Sequence, residues 1–158
     1  MSLLDVAIVG GGASGATTAF HLANRNKKVC ILEKNTSSTQ RDCGGGMSAA
    51  VQNWFPFELM PIVDEVIKNV EFSWNNTDKV VAKLSGSSPF WIVKREKLDS
   101  FLLDKSLNSG CNLLTNFNVV NIKKHLNIWE ITALDGRQIE AKAVVIADGS
   151  QSPWPKIF

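Results

Sequence analysis

The chain has 158 residues, of which 44% are hydrophobic, 8% aromatic and 20% charged, an ordinary composition for one globular domain. Seventeen Lys and Arg against fifteen Asp and Glu leave a formal charge of +2, which excludes the strongly basic footprint of a nucleic-acid-binding surface. Cys30, Cys43 and Cys111 are odd in number and scattered, so neither a secreted disulfide framework nor a metal-ligand spacing is present.

Met1 to Asp5 is too short for the charged and apolar regions of a signal peptide. No apolar run approaches the ~18 residues of a spanning helix. The expected location is the cytoplasm, with peripheral membrane contact left open.

Val6-Ala7-Ile8-Val9 is a short apolar run ending in three glycines, and reads as a buried parallel strand. From Ala13 to about Asn24 the pattern turns helical, with Ala16, Ala19, Phe20 and Ala23 on one face. After a polar turn, Val29-Cys30-Ile31-Leu32 is a second buried strand with Glu33 at its tip. Residues 36–46, rich in Ser, Thr and Gly, form a loop that enters a helix near Met47 to Asn53.

Residues 54–70 begin with a Pro-broken apolar stretch and continue with a more helical Ile62 to Val70. From Phe72 to Trp91, β-like patches alternate with Asn75-Asn76 and Ser85-Gly86-Ser87-Ser88. Arg95 opens a helix in which Leu98, Phe101 and Leu102 keep helical spacing and which Gly110 ends. Leu113-Leu114 and Val119 to Ile122 read as strand pieces. Ile128 to Leu134 and Gln138 to Ala143 read as a hairpin with a tight primed turn at Asp135-Gly136. Ala143 to Ala147 is one more buried parallel strand, running into Asp148-Gly149. The order predicts an α/β doubly wound sheet with an antiparallel excursion.

Gly10-x-Gly12-x-x-Gly15 stands between a strand and a helix, and a second strand ends in an acid. Gly10 permits the tight turn, Gly12 lets backbone approach a pyrophosphate, and Gly15 lets helix and strand pack closely. The helix N-terminus at Ala13 and Ser14 then points N–H groups and a positive dipole end at phosphates. Glu33 follows Gly12 by about 20 residues, where a carboxylate accepts from adenosine ribose hydroxyls and repels a 2′-phosphate. FAD or NAD is thus favoured over NADP at this turn; Lys34 beside Glu33 joins the expected binding residues. A plain structural glycine turn is the alternative.

Three further segments separate FAD from NAD. Val93-Lys94-Arg95-Glu96-Lys97-Leu98-Asp99 resembles the arginine-led helix of the flavoprotein monooxygenase superfamily, the group of p-hydroxybenzoate hydroxylase. Val144-Val145-Ile146-Ala147-Asp148-Gly149 is similar to that group's aspartate-glycine motif. Asp42-Cys43-Gly44-Gly45-Gly46-Met47 resembles the cysteine-triglycine signature of the geranylgeranyl reductase family.

The resemblance implies a Rossmann-like FAD-binding fold: a βαβ unit at 5–33, a cofactor loop at 36–47, an insert at 54–93, an arginine-led helix at 95–109, a hairpin at 126–142, and a last strand with its Asp-Gly motif at 143–152. It further implies that Arg95 meets the flavin's phosphate or ribityl region and that backbone near Val119 meets the adenine. The Cys43 loop, with Gly44, Gly45, Gly46 and Met47, would lie beside the isoalloxazine ring, and Asp148 and Gly149 would complete the cofactor site.

The residues themselves support parts of this. An arginine at a helix start opposes the dipole and calls for an anionic partner, a surface salt bridge being the plainer reading. Successive glycines suit backbone lying against a flat ring or adopting positive φ. Asp148 could equally cap a turn. His21, His125, Cys30 and Cys111 read as packing or surface residues. Trp54 to Pro61 lines either core under the insert, the plainer reading, or a lipid-tail tunnel.

The family's later glycine-aspartate segment and substrate-covering sheet are not in this sequence, which therefore reads as the N-terminal part of a longer enzyme. The expected function is an FAD-dependent oxidoreductase that reduces C=C bonds of an isoprenoid chain, with Cys43 as proton donor or ring contact. NADPH or reduced ferredoxin is the open choice of electron donor, and no metal is expected. An aromatic monooxygenase or halogenase of the same superfamily, or a non-catalytic nucleotide-binding fragment, are the alternatives; a simple NAD dehydrogenase explains neither the Cys43 loop nor the Arg95 helix.

Overall fold

The computed structural model describes residues 3–36, 43, 45–86 and 89–154. Its elements are β1 (Leu4–Val9), α1 (Ala13–Ala23), β2 (Val29–Leu32), β3 (Gly46–Ser48), β4 (Val63–Ile67), β5 (Asn69–Trp74), β6 (Thr77–Lys83), β7 (Phe90–Val93), α2 (Arg95–Asn108), β8 (Asn112–Leu114), β9 (Val119–His125), β10 (Ile128–Ala133) and β11 (Gln138–Ile146). Short 3-10 turns lie at Ala49–Trp54 and Met60–Ile62. Two compact units result, Met1–Thr39 with Asp99–Phe158, and Gln40–Leu98.

The first unit is built on a six-stranded sheet in the order β8-β2-β1-β11-β10-β9. The first four strands run parallel and the last two turn back antiparallel. This is the α/β Rossmann-like plan with an antiparallel excursion that the sequence predicts. Both faces of β1 and β2 are covered, which is why these strands read as unbroken apolar runs. Ala7, Val9, Cys30 and Leu32 join Phe117, Ile122, Ile131, Ile139 and Trp154 in one core. Ile8, Val29 and Ile31 join Ala19, Ala23 and Cys111 in the other. Each fully buried aliphatic or aromatic side chain contributes roughly 1.5–3 kcal/mol. Ala16 and Ala19 of α1, both fully buried, keep its inner face shallow, so the helix can pack closely.

Two details of this unit depart from the sequence reading. The strand expected at Ala143 to Ala147 is the second half of one long strand, β11, whose first half pairs with β10 and whose second half pairs with β1. The Asp135-Gly136 turn is not a two-residue primed turn. The Gly136 N–H donates to the Ala133 carbonyl at 3.0 Å, and of the turn residues Gly136 alone has positive φ, 86°. Leu134 and Asp135 thus form an ordinary turn and Gly136 the left-handed residue of a bulge that follows it.

In the second unit β3-β7-β4 form a three-stranded sheet and β5-β6 a two-stranded one. The helical reading of Ile62 to Val70 is overturned here: Val63, Val66 and Ile67 pair with Val93, Trp91 and Phe90. Five of these nine residues are β-branched, and pairing with β7 decides between two periods that a short apolar run leaves ambiguous. The helix expected near Met47 to Asn53 is also corrected, since Met47 lies in β3 opposite Trp91 and only a 3-10 turn follows. Gln52 holds the Pro-broken stretch beyond it, donating from Nε2 to the Phe57 carbonyl at 2.8 Å and accepting from the Leu59 N–H at 2.8 Å. Of that stretch Phe55 and Leu59 are buried, whereas Trp54 is exposed. A true primed turn does occur at β5-β6, where Asn75 and Asn76 both have positive φ, 47° and 60°.

Candidate functional site

Gly10 sits at φ 102°, and a Cβ there would fall 2.5 Å from the Ala147 carbonyl oxygen and 2.8 Å from Asp148 Cα. The glycine turn is thereby packed onto the end of β11, the strand beside β1 on the side opposite β2. This is where strand order reverses and α/β sheets bind ligands. A Cβ on Gly15 would overlap the Gly10 carbonyl oxygen, so the close approach expected of this glycine is present. Gly12 is the extended N-cap of α1 and supplies no side-chain cap. The first N–H groups of the helix, from Ala13 and Ser14 onward, thus have no capping side chain and suit an anion. Next to them, Asp148 Oδ1 is buried without a hydrogen-bond partner, and Gly149 has open space on its Cβ side at φ 100°. The capping role left open for Asp148 is not made by that oxygen.

Glu33 lies at the end of β2, its carboxylate held by backbone. Oε2 accepts from the Gly11 N–H at 2.8 Å and Oε1 from the Asn35 N–H at 3.0 Å. A carboxylate offers about four lone-pair sites, so two stay available to hydroxyls of a ligand. Lys34 is exposed. The Phe117 N–H donates to the Glu33 carbonyl at 2.9 Å, which brings the segment leading to Val119, the first residue of β9, to the same end of β2. The glycine turn, Glu33, residues 117–119 and Asp148 thus all belong to the first unit.

The remaining expected residues belong to the second unit. Cys43 is exposed, and its Sγ accepts from the Gly45 N–H at 3.5 Å and from Arg95 Nη1 at 3.9 Å. Gly45 is at φ 70° with its Cβ direction closed by the Val93 carbonyl oxygen, and the Val93 N–H donates to the Gly45 carbonyl at 3.0 Å. Gly46 and Met47 continue into β3. Arg41, Asp42 and Gly44 lie outside the described residues. Just before α2, the Asp64 carboxylate accepts from the Lys94 N–H at 2.9 Å and pairs with Lys97 at 2.5 Å. The Lys97 ammonium bond, ahead of other causes, holds Asp64 below the usual carboxylate range.

Burial pushes the thiols of Cys30 and Cys111 up to about 11, so both act as the small hydrophobes expected of them. His21 stacks edge-on against Phe20, and His125 ends β9 on the surface. Among the described residues no group of three His, Cys, Asp or Glu is arranged to hold a metal ion. Among the described residues no helix is long and apolar enough to cross a membrane.

Sequence reading missed Gly11, Asn35, Asn116 and Phe117, the backbone groups that hold Glu33 and its surroundings. Gly11 was visible as the middle of three glycines, but spacing assigns it no role. The others act through main-chain atoms that carry no side-chain signal. Val93, whose carbonyl forces a glycine at position 45, was likewise invisible because it is distant in sequence.

Comparison with known proteins reports the same relationship. Residues 5–60 match the model of a family described as FAD dependent oxidoreductase. Protein FixC of Escherichia coli is 27% identical over 95% of this chain and 37% of its own length. The chloroplastic geranylgeranyl diphosphate reductase of Nicotiana tabacum is 28% identical over 94% and 35%, respectively. A solved geranylgeranyl bacteriochlorophyll reductase-like protein from Thermoplasma acidophilum superposes with a TM-score of 0.80 at 20% identity, covering 93% of this chain and 39% of that one. The resemblance to the geranylgeranyl reductase family is thus met by one curated relative bearing that name, and the fold by a solved structure. The chain spans just over a third of the length of these two curated relatives.

Proposed function

We propose, for a chain whose N-terminal residues carry the FAD dependent oxidoreductase match and whose relatives include a geranylgeranyl reductase, that it holds the adenosine diphosphate half of FAD for reduction of C=C bonds in an isoprenoid chain. The observation that carries the cofactor reading is the juxtaposition at one sheet end of an uncapped helix N-terminus, a glycine turn with no room for side chains, and a backbone-fixed carboxylate. Gly10, Gly12, Ala13, Ser14 and Gly15 would hold the pyrophosphate, and Glu33 the ribose hydroxyls. The partnerless Asp148 Oδ1 and the open side of Gly149 fit a ligand that brings its own hydrogen-bond donor. When bound, the reduced flavin supplies hydride to the alkene.

The chain's own part in the reaction falls to the second unit. Arg95 bears a fixed positive charge suited to the flavin's phosphate or ribityl side. Cys43 Sγ, exposed and accepting from the Gly45 N–H and from Arg95 Nη1, serves as a proton donor to the substrate or as a contact to the ring. NADPH or a reduced ferredoxin supplies the electrons. Support for the isoprenoid substrate is the Cys43-Gly44-Gly45-Gly46 signature and the named relatives.

The test is the visible spectrum of the purified 158-residue chain after incubation with FAD and desalting. Retained flavin bands, or failing those a measurable ADP affinity by calorimetry, are the expected result. Neither flavin nor ADP binding would overturn the nucleotide assignment. In an active holoenzyme, Cys43→Ala should cut alkene reduction while FAD stays bound; unchanged turnover would remove Cys43 from the chemistry.

A further inference from the structure

We propose that Arg137, on the turn between β10 and β11, is a positioning residue for the ribose-binding carboxylate of Glu33. The inference rests on the nucleotide reading above and extends it to a residue that neither the motif nor the fold singles out.

Arg137 makes four contacts at the turn. Its Nε pairs with Asp135 Oδ2 at 2.8 Å, and its own N–H donates to Asp135 Oδ1 at 3.1 Å, which fixes the direction of the side chain. Nη2 donates to the Asn116 carbonyl, and the guanidinium lies over the Phe117 ring, 5.0 Å from its centroid. The planar fork of arginine suits this combination of ion pair, carbonyl contact and ring stacking.

What it holds is the segment that meets Glu33. Asn116 is in the left-handed region at φ 53°, which asparagine tolerates, and the Arg137 bond to its carbonyl fixes the turn there. The Phe117 N–H donates to the Glu33 carbonyl, and its side chain is buried in the core with Leu32, Ile122 and Ile131. The Glu33 N–H in turn donates to the Leu114 carbonyl at 2.9 Å. Both main-chain groups of Glu33 are thus bonded to the segment whose turn Arg137 clamps. Both carboxylate oxygens are aimed by Gly11 and Asn35. Loosening the Asn116 carbonyl frees the backbone of Glu33, and with it the aim of the two lone pairs that face a ribose. Arg137 touches no group that a nucleotide would touch through this arrangement; it acts through Phe117 on Glu33.

The experiment compares ADP with 2′-deoxy-ADP by calorimetry on the 158-residue chain, as wild type, R137A, R137K, E33Q and R137A/E33Q. Wild type should prefer ADP by about tenfold or more, the worth of a hydrogen bond to a charged group. R137A should lower that preference to about threefold or less. R137K, which keeps a donor for the Asn116 carbonyl, should recover most of it. E33Q should lose the preference, and R137A should add nothing in that background.

A merely structural role would weaken both nucleotides alike and leave their ratio in place, and that outcome overturns the proposal. So does an unchanged ratio in R137A, or a further loss of ratio in the double variant. If wild type binds neither nucleotide, the nucleotide reading itself falls and takes this proposal with it. Arg137 is a half-exposed turn residue, its side chain 43% accessible, so R137A should fold; thermal melting of each variant separates unfolding from lost aim.

Discussion

The glycine turn of the first unit and the cysteine-glycine loop of the second use the same residue for different reasons. At Gly15 the clash that excludes a side chain is with Gly10, five residues away, and at Gly10 it is with the end of the adjoining strand. At Gly45 the clash is with Val93, across a sheet pairing between distant segments. The Gly15 constraint is built by one βαβ unit folding on itself, whereas the one at Gly10 also needs β11 beside β1. The Gly45 constraint exists only once β3 and β7 have paired. A local constraint writes a motif with fixed spacing, whereas a non-local one writes a glycine whose reason sits elsewhere in the chain.

The sharpest way to break this comparison is to put a methyl group at each position. Gly15→Ala should cost about 3 kcal/mol or more, because the atom it would strike is backbone and cannot swing aside. It should also abolish ADP binding, and urea unfolding with calorimetry would show both. Gly45→Ala should be comparably strained, adding a positive φ of 70° to its clash, yet should leave ADP affinity within about threefold of wild type. An equal loss of ADP binding in Gly45→Ala would show that the two constraints are not independent.

Glu33→Gln comes next in size. It keeps the shape and one acceptor but loses the charge that strengthens bonds from the Gly11 and Asn35 N–H groups. ADP affinity should fall about tenfold to a hundredfold, corresponding to roughly 1.5–3 kcal/mol. An affinity unchanged in Glu33→Gln would detach this carboxylate from the ribose.

A smaller effect follows from the buried thiols. Cys30 and Cys111 have folded-state values near 11 against 9.0 unexposed to burial, so the folded state binds more protons between those limits. Their stabilisation is complete below pH 9 and is lost as pH rises towards 11, by about 1–2 kcal/mol for each thiol. Urea midpoints at pH 8 and pH 10.5 should fall accordingly, and Cys30→Ala should flatten the slope. Under native conditions Cys43 alone should react with a thiol reagent, since it is the exposed one.

Much of the first unit was legible because its reasons are short-range. Strand, glycine turn, helix face and acid follow in order, and each falls where the pattern puts it, with α1 ending one residue before the expected Asn24. Arg95 and Cys43 were legible as types of residue, and the structure adds that they meet, 52 positions apart in the chain. The segment Ile62 to Val70 was misread because an apolar run with residues at 62, 63, 66, 67 and 70 satisfies a helix as well as a strand. The β7 strand that settles it begins 20 residues later. Arg137 was illegible for a further reason: its pair with Asp135 reads as a local turn contact, and its distant partners are a carbonyl and a ring that leave no charge pattern in the sequence.

The weakest expected effect tests the β5-β6 hairpin, where the second unit departs furthest from the first. Val70, Phe72, Trp74, Val80 and Ala82 share one face through the pairs Val70↔Ala82 and Phe72↔Val80, yet Phe72, Trp74 and Val80 are 60%, 73% and 62% exposed. Little apolar area is removed from water there, so the turn carries a large share of the hairpin's local stability. Asn75 and Asn76 tolerate the left-handed region that a primed turn demands, and alanine does not. Asn76→Ala should therefore raise local opening of the β5-β6 amides by about fivefold to tenfold in hydrogen exchange, near 1 kcal/mol. The global urea midpoint should shift by less than about 0.5 kcal/mol, as for other surface changes. Asn76→Gly, which meets the same φ without strain, should leave both unchanged or slightly improved. A global loss in Asn76→Ala would mean that the hairpin's exposed face contributes to the cooperative core, and the contrast between the two units would then lie in their turns alone.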